Sequence, residues 1–269
     1  MIHQLKKLIK NIFRKLGYDL VSNKLLAKSD DPFHIISIIS DREKVCVVVD
    51  GGASIGDTSQ RFSDLFPNAI IYSFEPYPEF IKCLEAKSAK NPKIHVEPFA
   101  LSSTSGKEKL IVNKSKGTNS LLTGAKLGKS IYGEQMEMES AIEVYATTLD
   151  TWAQKQGIEK IDILKLDLQG GELEALKGSA SLLEDGKVSM ILCEVILQKC
   201  YDDQPRWHNI ANLVEGYGYR LLNLYQPHFH LGSIIQADFI FVRSNMKITD
   251  LKFHEAFHQY SRLINNPSA

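Results

Sequence analysis

The chain has 269 residues, 43% of them hydrophobic and 24% charged, which suffices for one well-buried core on the usual scale of about 100–200 residues per domain. Lysine plus arginine and aspartate plus glutamate both number 32, so no net field draws the protein to nucleic acid or an anionic membrane, which argues against nucleic acid as the main substrate. Cys46, Cys83, Cys193 and Cys200 show neither zinc spacing nor a dense disulfide framework, and no apolar run approaches the ~20 residues of a membrane span, so a cytoplasmic, unprocessed protein is expected.

Residues 1–40 read as an N-terminal helical extension. Within it Leu5, Leu8, Ile9, Ile12, Phe13 and Leu16 recur at helical spacing between Lys6, Lys7, Lys10, Arg14 and Lys15. Such a basic stripe suits a helix covering one edge of the core, or weak contact with a membrane surface through residues 1–28. From residue 45, short β-branched runs alternate with helical patterns. The predicted order is strand 45–49, helix 58–66, strand 70–74, helix 78–87, and strand 94–99, which Pro98 ends or confines to an edge.

The rhythm then breaks. Two short strands, 110–112 and 144–146, flank a polar insertion at about 113–143, and an insertion of this length reads as a functional lid. Regularity resumes with helix 149–156, strand 161–166, helix 172–183 and strand 189–195. A helix over 207–215 follows, then strands 219–224 and 239–242 joined by a longer polar segment. The alternation predicts a Rossmann-like, doubly wound α/β domain over 41–245. Its sheet is expected to have seven mostly parallel strands with an antiparallel C-terminal hairpin, and a tail helix over 246–269 is expected to follow.

The first strand runs into Asp50, Gly51, Gly52, Ala53, Ser54, Ile55 and Gly56. That loop opens a helix in the crevice where open α/β sheets bind ligands. The spacing is not G-x-G-x-x-G, and Asp50 would set a carboxylate where a dinucleotide's pyrophosphate must sit. S-adenosylmethionine carries an ammonium and a sulfonium instead, so an acidic strand tip favours it. The second strand ends in Phe74-Glu75-Pro76. Glu75 there can accept from both ribose hydroxyls, and Pro76 fixes the backbone behind it.

With these residues in place the chain resembles the FkbM-type methyltransferases, a branch of the class I S-adenosylmethionine-dependent enzymes, over about residues 45–243. The likeness rests on Val49 to Gly56, on Phe74-Glu75-Pro76-Tyr77-Pro78, and on Leu149-Asp150 with Ile163 to Glu172. Asn119-Ser120-Leu121 and Ala237 to Val242 also look like the family. Ser54 stands where the family usually has Asn, Gln169 where it has Glu, and Gly171 where it has Ala. The resemblance implies methyl transfer to the oxygen of a sugar or natural-product hydroxyl. It further implies that Asp50, Gly52 and Gly56 hold the methionine portion, Glu75 the ribose, and Ala100 and Leu101 the adenine, with Asp167 at the reacting centre.

A hydroxyl acceptor must lose a proton, so the acids at strand ends are the catalytic candidates: Asp167 and Glu194, the latter following a buried run that would raise its pKa. His208, His228 and His230 lie in the C-terminal segments, and His230 is a third candidate base. Lys165, between apolar neighbours, reads as an ion-pair partner. Asp167 and Glu194 alone are a thin basis for a divalent cation, and none is predicted. Two rival readings are a non-catalytic S-adenosylmethionine-binding module, which the long insertion argues against, and a nucleotide-dependent oxidoreductase, which Asp50 disfavours.

Overall fold

The computed structural model describes residues 30–247 together with Ile9, Phe13 and Lys15. The amphipathic helix expected over 1–28 and the tail helix expected from 246 fall, but for these few positions, outside the described residues. The first described helix is α1 (Pro32–Ile39). Asp31 caps it by accepting from Phe33 N–H at 3.1 Å, and Pro32 opens its first turn, where a missing N–H loses nothing.

The main sheet is built from β1 (Val47–Gly51), β2 (Ile70–Phe74), β3 (Ile94–Glu97), β7 (Ile161–Leu166), β8 (Val188–Ile196), β9 (Tyr219–His230) and β10 (Ser233–Arg243). Their order is β3-β2-β1-β7-β8-β10-β9, parallel throughout except for β10, which runs antiparallel to both its neighbours. This is the expected seven-stranded, doubly wound architecture. Successive residues of the central strands feed two cores. Val49, Leu164 and Ile191 face α5 (Leu149–Gln156), α6 (Glu172–Lys177), α7 (Ala180–Glu184) and α8 (Trp207–Gly216), while Val48, Ile163 and Met190 face α1 and α2 (Asp57–Leu65). Burial on both faces is why these strands read as continuous apolar runs. Helix α3 (Pro78–Ser88) connects β2 to β3, and α4 (Lys126–Tyr132) lies within the insertion.

Three elements differ from expectation. The helix expected over 172–183 is broken into α6 and α7 at Gly178, where a Cβ would lie 2.1 Å from the Ser102 carbonyl oxygen. Asp150 supplies the new N-terminus, accepting from Ser181 N–H (2.8 Å) and Leu182 N–H (3.1 Å). The two short strands expected around the insertion are β5 (Gly106–Asn113) and β6 (Met138–Thr147), which pair antiparallel and form a separate sheet with β4 (Ala100–Leu101). Their outer halves are solvated and charged, so only the inner ends show an apolar signal. Finally, no long polar segment joins β9 and β10. Both strands continue to a tight turn at Leu231 and Gly232, whose φ values of 47° and 81° suit a two-residue hairpin.

Candidate active site

The parallel strands β1, β7 and β8 all point their C-terminal ends to one side, and the winding reverses between β1 and β7. That switch point is where an open α/β sheet leaves a crevice. A cavity of about 220 Å³ lies there, walled by Gly52, Ser54, Glu75, Pro76, Ala100, Leu101 and Asp167, with Phe74, Phe80, Phe99 and Leu110 adding apolar surface. Every one of these except Phe80, Phe99 and Leu110 belongs to the residues singled out in the sequence.

The glycine loop after β1 is fixed on both sides. Gly52 N–H and Ala53 N–H donate to the Phe74 carbonyl at 3.0 and 2.9 Å, and Asp167 N–H donates to Gly51 O at 3.1 Å. Gly52 has φ 72°, and a Cβ there would fall 1.8 Å from the Asp167 carbonyl oxygen, so this position admits no side chain. Ser54 also takes a left-handed conformation, φ 50°. Asn tolerates that region better than Ser does.

Asp50 is placed differently from the expected direct contact. It is fully buried, 0% exposed, and does not line the cavity. Its Oδ1 lies 3.1 Å from Lys165 Nζ, and its Oδ2 accepts from Ser59 Oγ at 2.6 Å. Since the Ser59 proton goes to Asp50, the 2.7 Å contact between Ser59 and Ser73 has Ser73 as donor. Lys165 Nζ also donates to Gly51 O (3.1 Å) and Gly52 O (3.0 Å). Burial alone would lower the Lys165 ammonium, but the Asp50 and Asp167 carboxylates hold it above its ordinary value. The predicted ion-pair lysine is therefore present, and Asp50 acts on the cavity through the loop it anchors. Gly51, Ala53 and Gly56 likewise shape that loop from behind; a Cβ at Gly56 would lie 2.6 Å from Leu84.

Glu75 does reach the cavity. Its Oε2 accepts from Ser54 N–H (2.9 Å) and its Oε1 from Tyr77 N–H (2.8 Å), which locks the carboxylate in one orientation while leaving a lone pair on each oxygen. Burial dominates its titration, and although the two backbone donors and Lys165 pull the other way, its pKa is pushed up to about 7.

At the β7 tip, Asp167 lines the cavity, and Glu194 stands on the neighbouring strand β8. Gln169 joins them: its Nε2 donates to Asp167 Oδ1 and to Glu194 Oε2, both at 3.0 Å, and its Oε1 accepts from Tyr201 Oη at 2.8 Å. Gln236 Nε2 donates to the other Glu194 oxygen at 2.6 Å and its own oxygen accepts from Tyr132 Oη at 2.7 Å. Burial, then the charges of Asp167 and Glu172, hold Glu194 protonated well above the usual carboxylate range. Glu172, whose pKa burial lifts to about 7, accepts from Leu168 N–H and Gly170 N–H and so closes the turn carrying Gln169.

His230 is not part of this constellation. It pairs with Ser233, five positions along β10 from Asp238, which faces Glu194; at about 3.4 Å per residue the separation along the strand is roughly 17 Å. The hairpin carries it past the sheet edge. Among the described residues no group of three His, Cys, Asp or Glu side chains is arranged to hold a metal ion, and no helix is long and apolar enough to cross a membrane.

The insertion roofs the cavity. Lys116, Gly117, Asn119, Ser120 and Leu121 all line it. The roof is tied down where Ser120 Oγ donates to Gln169 O at 2.8 Å and where Ile111 N–H donates to Ser120 O at 2.8 Å. Gln236, Tyr132 and Tyr201 escaped the reading of the sequence, and Gln169 was noted there only as a departure from the family, because their importance comes from convergence between segments distant in sequence.

Residues 50–221 match the family described as the methyltransferase FkbM domain. The 2-O-methyltransferase NoeI of Sinorhizobium fredii is 25% identical over 190 residues, which are 68% of this chain and 76% of that protein. The methyltransferase sdnD of Sordaria araneosa is 30% identical over 153 residues, 49% of this chain and 59% of that protein, so the match spans about three-fifths of sdnD. Among solved structures, the magnesium protoporphyrin IX methyltransferase ChlM of Synechocystis aligns with a TM-score of 0.47 at 11% identity, covering 89% of this chain and 97% of that one.

Proposed function

The chain belongs to the FkbM methyltransferase family and is an S-adenosylmethionine-dependent methyltransferase, and from that premise we propose that it methylates a hydroxyl oxygen of a sugar or natural product. The observation that carries this reading is the carboxylate of Asp167 on the cavity wall, with Glu194 protonated behind it. A carboxylate at a strand tip suits a neutral hydroxyl, which must give up its proton as the new bond forms. The 2-O-methyltransferase activity that names NoeI supports an oxygen acceptor, and four free thiols support a cytoplasmic setting.

The residues present fit the cofactor. Gly52 lines the cavity as bare backbone, Glu75 presents two fixed acceptors suited to a ribose diol, and Phe80, Phe99, Leu101 and Leu110 offer an apolar slot for a base. When bound, S-adenosylmethionine supplies a methyl group activated by its sulfonium. The chain's own part is positioning, which can contribute about 7–11 kcal/mol of the barrier, and removal of the acceptor's proton by Asp167. Gln169 keeps the Asp167 carboxylate aimed.

The test is transfer of isotopically labelled methyl from S-adenosylmethionine to panels of mono- and oligosaccharides and polyhydroxylated natural products. The expected product is a methyl ether, stable to alkaline hydrolysis. Label released by alkali, as from an ester, or found on nitrogen, would overturn the proposal.

Glu75 sets an expected pH dependence of cofactor binding. Its ionised form accepts ribose hydroxyls, so binding displaces the proton that Glu75 holds below about pH 7. Affinity for S-adenosylhomocysteine, read by calorimetric titration, is expected to fall about tenfold between pH 8 and pH 6, and Glu75→Gln is expected to bind more weakly with that slope flattened. For folding the sign is opposite to that of an ion-paired carboxylate. The raised value makes Glu75 favour the folded state below about pH 4.5, and that contribution is lost as pH rises through about 7.

A further inference from the structure

Asn119 follows the short turn Lys116–Thr118 in the roof. Its Oδ1 accepts from Asn113 N–H at 2.9 Å. Only an oxygen can face that donor, so the amide has one orientation and Nδ2 points to the other side. Nδ2 is buried and meets no hydrogen-bond partner among the described residues, while Asn119 itself lines the cavity. A buried amide donor without an acceptor is unfavourable, and a neighbouring Asn113 that satisfies its own Nδ2 with Thr118 O at 2.7 Å shows that the roof otherwise meets its polar groups.

Nδ2 has almost no exposed surface, so a guest of the cavity that brings an acceptor to this point must shift the roof slightly to meet it. Glu75 suits a diol, and the remaining walls near the roof, Phe80, Leu110 and Leu121, are apolar, as the faces of a flat base demand. Resting on the assignment of S-adenosylmethionine as cofactor, we infer that Asn119 Nδ2 reads the adenine base by donating to one of its ring nitrogens. The ring nitrogens N1, N3 and N7 accept, whereas the exocyclic amine only donates and would confront Nδ2 donor to donor.

This contact has a consequence for the chemistry. The next residue, Ser120, bonds the carbonyl of Gln169, whose amide aligns Asp167 and Glu194. A base that seats Asn119 thus steadies the segment on which the carboxylates depend, so the site is completed by its own cofactor.

Calorimetric titration with S-adenosylhomocysteine and its 1-deaza, 3-deaza and 7-deaza analogues tests the inference without an acceptor. Asn119→Ala is expected to weaken S-adenosylhomocysteine about tenfold. Asn119→Asp keeps the oxygen that anchors Asn113 and sets an acceptor against an acceptor, so it is expected to lose more, which separates lost recognition from a disturbed loop. One deaza analogue is expected to bind the wild type about tenfold more weakly and to lose nothing further in Asn119→Ala, the non-additivity of two partners in one bond. Wild-type affinity in both variants, or additive losses for all three analogues, would overturn the inference. A wild-type chain that fails to bind S-adenosylhomocysteine at all would instead sink the cofactor assignment beneath it.

Discussion

Asp167→Asn is expected to lower kcat by about 10²–10⁴-fold, the usual loss when a positioned base is removed, corresponding to roughly 3–5 kcal/mol of barrier. The substitution is nearly isosteric, and the Asn side-chain oxygen still accepts from Gln169 Nε2, so the turn that follows β7 keeps its geometry. Affinity for S-adenosylhomocysteine should change by less than about tenfold, because Asp50 still holds Lys165 and, through it, the glycine turn. The pH profile separates this from a structural effect. In the wild type protonation of the base removes activity at low pH and gives kcat an acid limb. In the variant that limb should disappear. An equal fall in cofactor affinity would reassign Asp167 from the acceptor to the cofactor.

The parts of this site that the sequence made legible are those where one strand and its following turn do all the work. Val47 to Gly56 is such a unit: the β-branched run is buried on both faces, the glycines tolerate φ values above zero, and the loop arrives at the crevice because the strand before it is central. Glu75 was legible for the same reason, since it closes β2 beside β1. Asp50 was readable as important and misread in role. Its charge suggested a direct contact with a cation, but Lys165 lies opposite it in the register of β1 and β7, and no local pattern announces a partner 115 positions away.

The catalytic edge was less legible because it is assembled from five segments. Gln169 comes from the turn after β7, Glu194 from β8, Tyr201 from the loop after β8, Gln236 from β10 and Tyr132 from the roof. Polar residues of these types also populate ordinary loops, and nothing in composition or period distinguishes them. His230 shows the converse error. A titratable ring in a polar stretch suggested a loop above the site, whereas continuous pairing of β9 with β10 carries that ring to the hairpin tip. The split between α6 and α7 has the same origin: Gly178 breaks the helix through its contact with Ser102, a residue 76 positions earlier.

Lys165→Met is expected to destabilise the fold by about 3–5 kcal/mol, measured by urea denaturation, since removing one partner of a buried ion pair leaves the other charge uncompensated. Met matches the length of the lysine stem, so little cavity is created and the loss reports the charge. Asp50 would be left with Ser59 as its hydrogen-bond donor, at a site with no exposure to water. The double variant Lys165→Met/Asp50→Leu should recover most of the stability, as buried ion pairs are often replaceable by apolar residues of similar volume. It should not recover cofactor affinity, because the carbonyls of Gly51 and Gly52 lose the ammonium that fixes them whichever residue occupies position 50. Recovery of both properties would mean that the ion pair serves folding alone. Recovery of stability without affinity would show why a buried charge pair sits beneath this loop: hydrophobic packing at the same place could hold the strands together, but only a donor aimed at two successive carbonyls can hold the glycine turn in the shape that the cofactor meets.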